Sequence, residues 1–138
     1  MSLLENKEQE FTSISNLGEF GLIDKITKDI KHYNESTLKG VGDDAAVIKS
    51  GDLCQVISTD LLIEGVHFDL AYAPLKHLGY KAVVVNLSDI CAMNVIPKQI
   101  TVSLALSNRF PVEAVEELYT GVKLACDYYK IDLIGGDT

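Results

Sequence analysis

Gly40-Val41-Gly42-Asp43-Asp44-Ala45-Ala46-Val47-Ile48 is the stretch on which the reading of the chain turns. A Gly-x-Gly turn leads into two adjacent carboxylates, and an apolar run follows at once. Gly40-x-Gly42-x-x-Ala45 matches part of a dinucleotide fingerprint, but that motif must follow a strand and open a helix. Here a polar loop, Asn34 to Gly40, comes first and a short strand, Ala45 to Ile48, comes after. The dinucleotide reading is set aside on that context. Adjacent like charges repel, so open solvent or a cation must offset them. Asp60, Asp89 and Asp137 recur in comparable settings, and the working expectation is that these acids gather around magnesium and a polyphosphate.

Outward from this stretch, Ser50-Gly51-Asp52 reads as a turn and Leu53 to Ile63 as a second strand, close enough to form a hairpin with the first. Upstream, Ile23, Ile26 and Ile30 recur at helical spacing, which predicts a helix over Gly18 to His32. Residues 1–17 are polar and lack periodicity, and are expected to be mobile. Downstream, Pro74 to Asn94 reads as a long helix with a deeply buried middle. Gln99 to Leu106 alternates as a strand, with Ile100, Val102, Leu104 and Leu106 on one face. Pro111 opens a further helix to Tyr129, with an apolar stripe of Val112, Val115, Leu118, Val122 and Ala125. Ile131 to Ile134 is a last strand before a Gly135-Gly136-Asp137 turn. The order α-β-β-α-β-α-β predicts an α+β fold, an α/β sandwich in which helices cover a sheet.

The chain has 138 residues and a hydrophobic fraction of 47%, enough for one cored domain. Its net charge is −8, which argues against nucleic acid as a partner. No apolar run approaches the roughly 20 residues that span a membrane. The acidic, polar N-terminus is neither a signal nor a transit peptide. Cys54, Cys91 and Cys126 are widely spaced in apolar contexts and read as buried free thiols of a reducing cytoplasm. Zinc would want closely spaced pairs, and there are none.

The candidate residues take their weight from their combination. Ser58-Thr59-Asp60 offers three adjacent oxygen donors, which suits a hard cation. Asp89 sits in an apolar helix and needs a partner, with Asn86 three residues before it on the same face. Gly135-Gly136-Asp137 could bring backbone N–H groups close to a phosphate. On residue type alone, His67 reads as a half-buried core histidine more readily than as a substrate contact. Tyr119 likewise reads as helix core more readily than as a base-stacking ring. No Gly-x-x-x-x-Gly-Lys-Ser/Thr occurs, so phosphate binding through a P-loop is excluded.

Gly18-Glu19-Phe20, Gly42-Asp43-Asp44-Ala45-Ala46, Ser58-Thr59-Asp60, Gly65-Val66-His67-Phe68, Asn86-Leu87-Ser88-Asp89-Ile90-Cys91-Ala92-Met93 and Gly135-Gly136-Asp137-Thr138 occur in that order. Over residues 18–138 the chain resembles the N-terminal half of the thiamine-monophosphate kinases. More distantly it resembles the aminoimidazole ribonucleotide synthetase superfamily, which includes selenophosphate synthetase and a hydrogenase maturation protein. The resemblance implies an N-terminal ATP- and magnesium-binding domain over residues 18–138, with a sheet used for homodimerisation. It implies ATP-dependent phosphorylation of thiamine monophosphate to thiamine diphosphate. It places Asp44, Ser58, Thr59, Asp60, Asp89 and Asp137 on magnesium-ligand positions and His67 on a substrate-contacting position. Tyr119, Gly136 and Asp137 fall on ATP-contacting positions, and Asp43 has no assigned role. Cys91 stands where alanine is usual, with no functional effect expected.

Family members are about twice as long, so these residues are expected to fold, and to dimerise, with little or no kinase activity alone. Another ATP-dependent member of the superfamily, or a non-catalytic dimerisation or nucleotide-binding module, are the alternatives.

Overall fold

The computed structural model describes residues 12–138. Most of the segment expected to be mobile, 1–11, lies outside the described residues. The chain divides after Tyr33 into two compact units.

The described part of the first unit is one helix, α1 (Ile14–Thr27), none of whose residues is buried. It starts earlier than Gly18 and stops short of His32. Gly18, at φ 68°, breaks the helical geometry inside it, a backbone state open to glycine. At the far end the Thr27 hydroxyl donates to the Ile23 carbonyl at 2.7 Å, and the chain turns away after Lys28.

The second unit carries everything else. Three antiparallel strands, β1 (Thr37–Lys39), β2 (Ala46–Ser50) and β3 (Leu53–Ile57), form one sheet in that order. β1 lies in the stretch read as a loop, because its polar residues hide a ladder with β2 that pairs Lys39 with Val47. The β2–β3 hairpin closes at Ser50 and Leu53 across a two-residue turn. Gly51 at its first central position has φ 62°, the left-handed state such turns require.

Long helices α2 (Leu75–Ala92) and α3 (Val112–Tyr129) flank β4 (Gln99–Ser103) in sequence, and β5 (Asp132–Asp137) pairs parallel to β4. Among the described residues the order is therefore α-β-β-β-α-β-α-β, with two sheets where one was expected. The mixed α/β class stands.

Val83, Leu87, Val122, Ala125, Cys126 and Ile131 make the core, with Ile100 and Val102 of β4 packed on it. The alternation read for Gln99 to Leu106 holds within β4, where Ile100 and Val102 point inward. The strand ends at Ser103, and one further bond, from the Leu104 N–H to the Asp137 carbonyl, closes the ladder. The stripe of α3 is shorter at its start than its spacing suggests, since Val112 is 69% exposed. The helix ends at Lys130, in the left-handed conformation at φ 59°.

Candidate functional site

Three of the sequence-selected segments meet at the open end of the β2–β3 hairpin. β3 does not run on to Ile63; it stops at Ile57, opposite Ala46. Ser58, Thr59 and Asp60 lie just beyond it, and the Ser58 hydroxyl and the Asp60 N–H bond to α2 instead of to a ladder. The Ser58 hydroxyl lies 2.8 Å from Asp89 Oδ2 and 3.0 Å from the Asp44 carbonyl oxygen. The Asp60 N–H donates to Asn86 Oδ1 at 2.8 Å. Asn86 and Asp89, three residues apart on α2, thus hold the two ends of Ser58-Thr59-Asp60. Thr59, between them, is exposed.

The donor set here is oxygen only. Ser58 has one proton to give and two acceptors within reach, the Asp44 carbonyl and the Asp89 carboxylate. An oxygen-rich site short of protons fits a hard cation such as magnesium. Among the described residues, however, no three His, Cys, Asp or Glu side chains gather closely enough to hold a metal. Only the Asp89 carboxylate joins this network; Asp44 enters it through its backbone carbonyl and Asp60 through its backbone N–H, so the three acids do not close a cage.

Asp43 has a different partner. Gly42, at φ 117°, turns the chain so that the Asp43 carboxylate meets the Lys39 ammonium. Its other oxygen accepts the Asp44 N–H at 3.0 Å. The hydrogen bond from Lys39 and then that from the Asp44 N–H hold the Asp43 carboxyl below the usual carboxylate range. The repulsion between the paired acids is therefore relieved by a lysine at the end of β1. The signal was in the sequence, a lysine four residues ahead of the acid, but it needed β1 to be recognised.

His67 is exposed rather than half-buried. Its Nδ1 accepts the Ile63 N–H at 3.0 Å, and its carbonyl accepts Lys81 Nζ at 2.9 Å. With Nδ1 an acceptor, the neutral ring carries its proton on Nε2.

Tyr119, Gly136 and Asp137 share a separate cavity of 530 Å³ with Val102, Leu133 and Thr138. Gly135-Gly136-Asp137 is not a turn after a strand; it is the end of β5 itself. A register shift between Ile100 and Thr101 carries Gly135 opposite Thr101 and Gly136 opposite Val102. A Cβ on Gly136 would lie 1.7 Å from the Val102 carbonyl oxygen, so the close strand approach itself demands glycine. Among the described side-chain hydrogen bonds, none joins Asp137 to Asp44, Asp60 or Asp89.

A second cavity, 370 Å³ and apolar, is lined by Val84, Leu87, Cys91, Ile96, Pro97 and Tyr129 among others. All three cysteines are free, but Cys54 and Cys91 are exposed and only Cys126 is buried. Their apolar neighbours in sequence misled, because the β1–β2–β3 sheet is uncovered and the α2 surface at Cys91 is open.

The family model for AIR synthase related protein, N-terminal domain, matches residues 42–138. Thiamine-monophosphate kinase of Aquifex aeolicus is 41% identical over 124 residues, which is 90% of this chain and 38% of that protein. The Bacillus subtilis thiamine-monophosphate kinase is 40% identical over 88% of this chain and 38% of its own length. A solved structure of AaThiL complexed with AMPPCP and TMP aligns with a TM-score of 0.79 at 38% identity, covering 94% of this chain and 40% of that one. The crystal structure of the kinase from Aquifex aeolicus aligns with a TM-score of 0.66 at 35% identity, over 92% of this chain and 40% of that one. The chain spans 38% of the length of these curated relatives. With its motifs, its mixed α/β fold and a family-model match over residues 42–138, the chain belongs to the AIR synthase related protein family, whose N-terminal domain it carries.

Proposed function

We propose that these residues form the metal- and nucleotide-binding part of an enzyme that transfers the γ-phosphoryl group of ATP to thiamine monophosphate, giving thiamine diphosphate and ADP. The observation that carries this reading is the likeness, at 38% identity, to a structure complexed with AMPPCP and TMP. The contact of the Ser58 hydroxyl with the Asp89 carboxylate and the Asp44 carbonyl at the hairpin end supports it. Asp44, Ser58, Thr59, Asp60 and Asp89 are the residues that would hold magnesium at the hairpin end, with Asp137 contributing from β5. Magnesium bound there would neutralise phosphate charge and align the reacting oxygens.

Tyr119 lines the same cavity as Gly136 and Asp137, where the nucleotide would lie. His67 offers its Nε2–H to the acceptor. That acceptor is already an anion, so no side chain has to remove a proton from it. An acceptor phosphate oxygen bonds to the γ-phosphorus as the bond from that phosphorus to the ADP oxygen breaks, and ADP leaves with the electron pair. The task of the protein is to bring two polyanions together, and an aspartate-rich site without a general base answers it.

The uncovered sheet supports a homodimer. Leu38 is 53%, Leu53 75% and Ile57 50% exposed, on strands whose outer edges pair with no other strand among the described residues. Among the described residues no helix is long and apolar enough to cross a membrane. Three unpaired cysteines suit the reducing cytoplasm.

The test is ADP release by the full-length protein with ATP, magnesium and thiamine monophosphate. Turnover that requires all three is expected. Absence of turnover with thiamine monophosphate, or turnover only with another acceptor, overturns the reading.

A further inference from the structure

Asn86 makes two hydrogen bonds that together fix its amide. Its Nδ2 donates to the Ala82 carbonyl, one turn back on the same helix, at 2.9 Å. Its Oδ1 accepts the Asp60 N–H at 2.8 Å. The first bond uses the donor end, so the acceptor end faces Asp60 and the amide cannot flip without losing both bonds. The side chain sits half-buried on a helix whose neighbouring residues Val83 and Leu87 belong to the core. A rigid element thus reaches out to one backbone N–H in a segment that has no ladder partner of its own.

From this geometry we infer that Asn86 is the positioning residue that sets the backbone at Asp60 and, through it, the direction of the Asp60 carboxylate. The inference rests on the reading of Asp60 as a metal ligand given above. Asp89 fixes Ser58 from the next turn of α2. Asn86 does for the far end of the segment what Asp89 does for the near end, but without charge and without touching the ligand. A ligating carboxylate on an unpaired segment would sample many directions. One hydrogen bond to a helix of the core removes most of them.

The experiment uses full-length protein labelled with ¹⁵N, as wild type, Asn86→Ala and Asn86→Asp. Two quantities are read: hydrogen exchange of the Asp60 amide, and affinity for manganese alone. In Asn86→Ala the Asp60 amide should exchange about tenfold faster, the worth of one lost hydrogen bond. The amides of Val83 and Val122 should keep their protection and so report an intact core. Manganese affinity should fall about tenfold, the lower end for a group that orients a ligand. Asn86→Asp keeps an acceptor for the Asp60 N–H but loses the donor to the Ala82 carbonyl, so it should restore part of that amide protection, which a merely space-filling role would not do. An Asp60 amide as protected in Asn86→Ala as in wild type overturns the inference. So does unchanged manganese affinity in Asn86→Ala where the wild type binds, or an Asp60 amide no better protected in Asn86→Asp than in Asn86→Ala. If wild type binds no manganese, the metal reading itself falls, while the exchange of the Asp60 amide still decides whether Asn86 holds that backbone.

Discussion

Gly79 of α2 and Gly121 of α3 lie at the crossing of the two helices, and each meets the other helix's backbone where a side chain would start. A Cβ on Gly79 would lie 1.9 Å from the Leu118 carbonyl oxygen, and one on Gly121 would lie 1.8 Å from that of Lys76. The close crossing is what lets Val83 and Val122 become fully buried. Gly79→Ala or Gly121→Ala must therefore push the helices apart. Each is expected to cost about 3 kcal/mol, the upper part of the range for overpacking. Gly21→Ala is the control, because its Cβ would meet only Leu17 side-chain atoms at an ordinary 3.6 Å. That change should be neutral or slightly stabilising in a helix. Urea midpoints of the three variants check the contrast.

Asp89→Asn separates fold from function. The asparagine keeps an acceptor for the Ser58 hydroxyl, so the melting temperature should move little. The charge that the proposed metal site requires is gone. Phosphoryl transfer by the full-length protein should fall by about 100-fold or more. Near-normal rates would remove Asp89 from the site, and Asp60→Asn is expected to behave in the same way.

The three thiols should differ in reactivity. Cys54 and Cys91 are exposed, while Cys126 is 8% exposed in the α2–α3 core. Burial, with Asp127 adding to it, pushes the Cys126 thiol up from its ordinary range, so less thiolate is present at any given pH. A disulfide reagent at mildly alkaline pH should modify two thiols quickly and the third only on unfolding. A raised folded-state pKa also fixes a sign. The contribution of Cys126 to stability is complete below the unfolded thiol pKa and is lost as pH rises through the folded one. Cys126→Ala should remove that part of the alkaline decline in denaturant titrations.

Asp43 and Lys39 set the opposite sign. The Asp43 carboxyl is held below its ordinary range, so its contribution is present above the unfolded carboxyl pKa and is lost as pH falls through the folded one. A carboxyl-detected NMR titration should find Asp43 titrating below a normal aspartate. Lys39→Met should return its midpoint toward the ordinary value. No return in that variant would show that the Asp44 N–H alone holds the carboxylate.

The helices and the hairpin were legible because their periodicities are local and strong. Val122 and Ala125 could be placed in the core from spacing alone. The strand ends were not, because they are decided by partners distant in sequence. β3 stops where β2 runs out of residues and where Asn86 captures the Asp60 N–H. β1 was hidden because Thr37–Lys39 has almost no apolar signal and is defined by its bonds to β2. Gly135-Gly136 resembles a turn in sequence, yet a parallel neighbour draws it into β5. At the site, the pairing of Asp89 was foreseeable from one carboxylate in an apolar helix. That its partner would be Ser58 depended on folding the hairpin end against α2.

The glycine at 136 has one more effect. The Val102 oxygen forbids any side chain there, so the wall of the Tyr119 cavity at that point is bare peptide in every sequence that keeps this strand pairing. Whatever rests against it reads amide geometry rather than residue identity. Substitution can retune the ring, the acid and the apolar rim around the cavity, but this patch of its surface is inherited with the sheet.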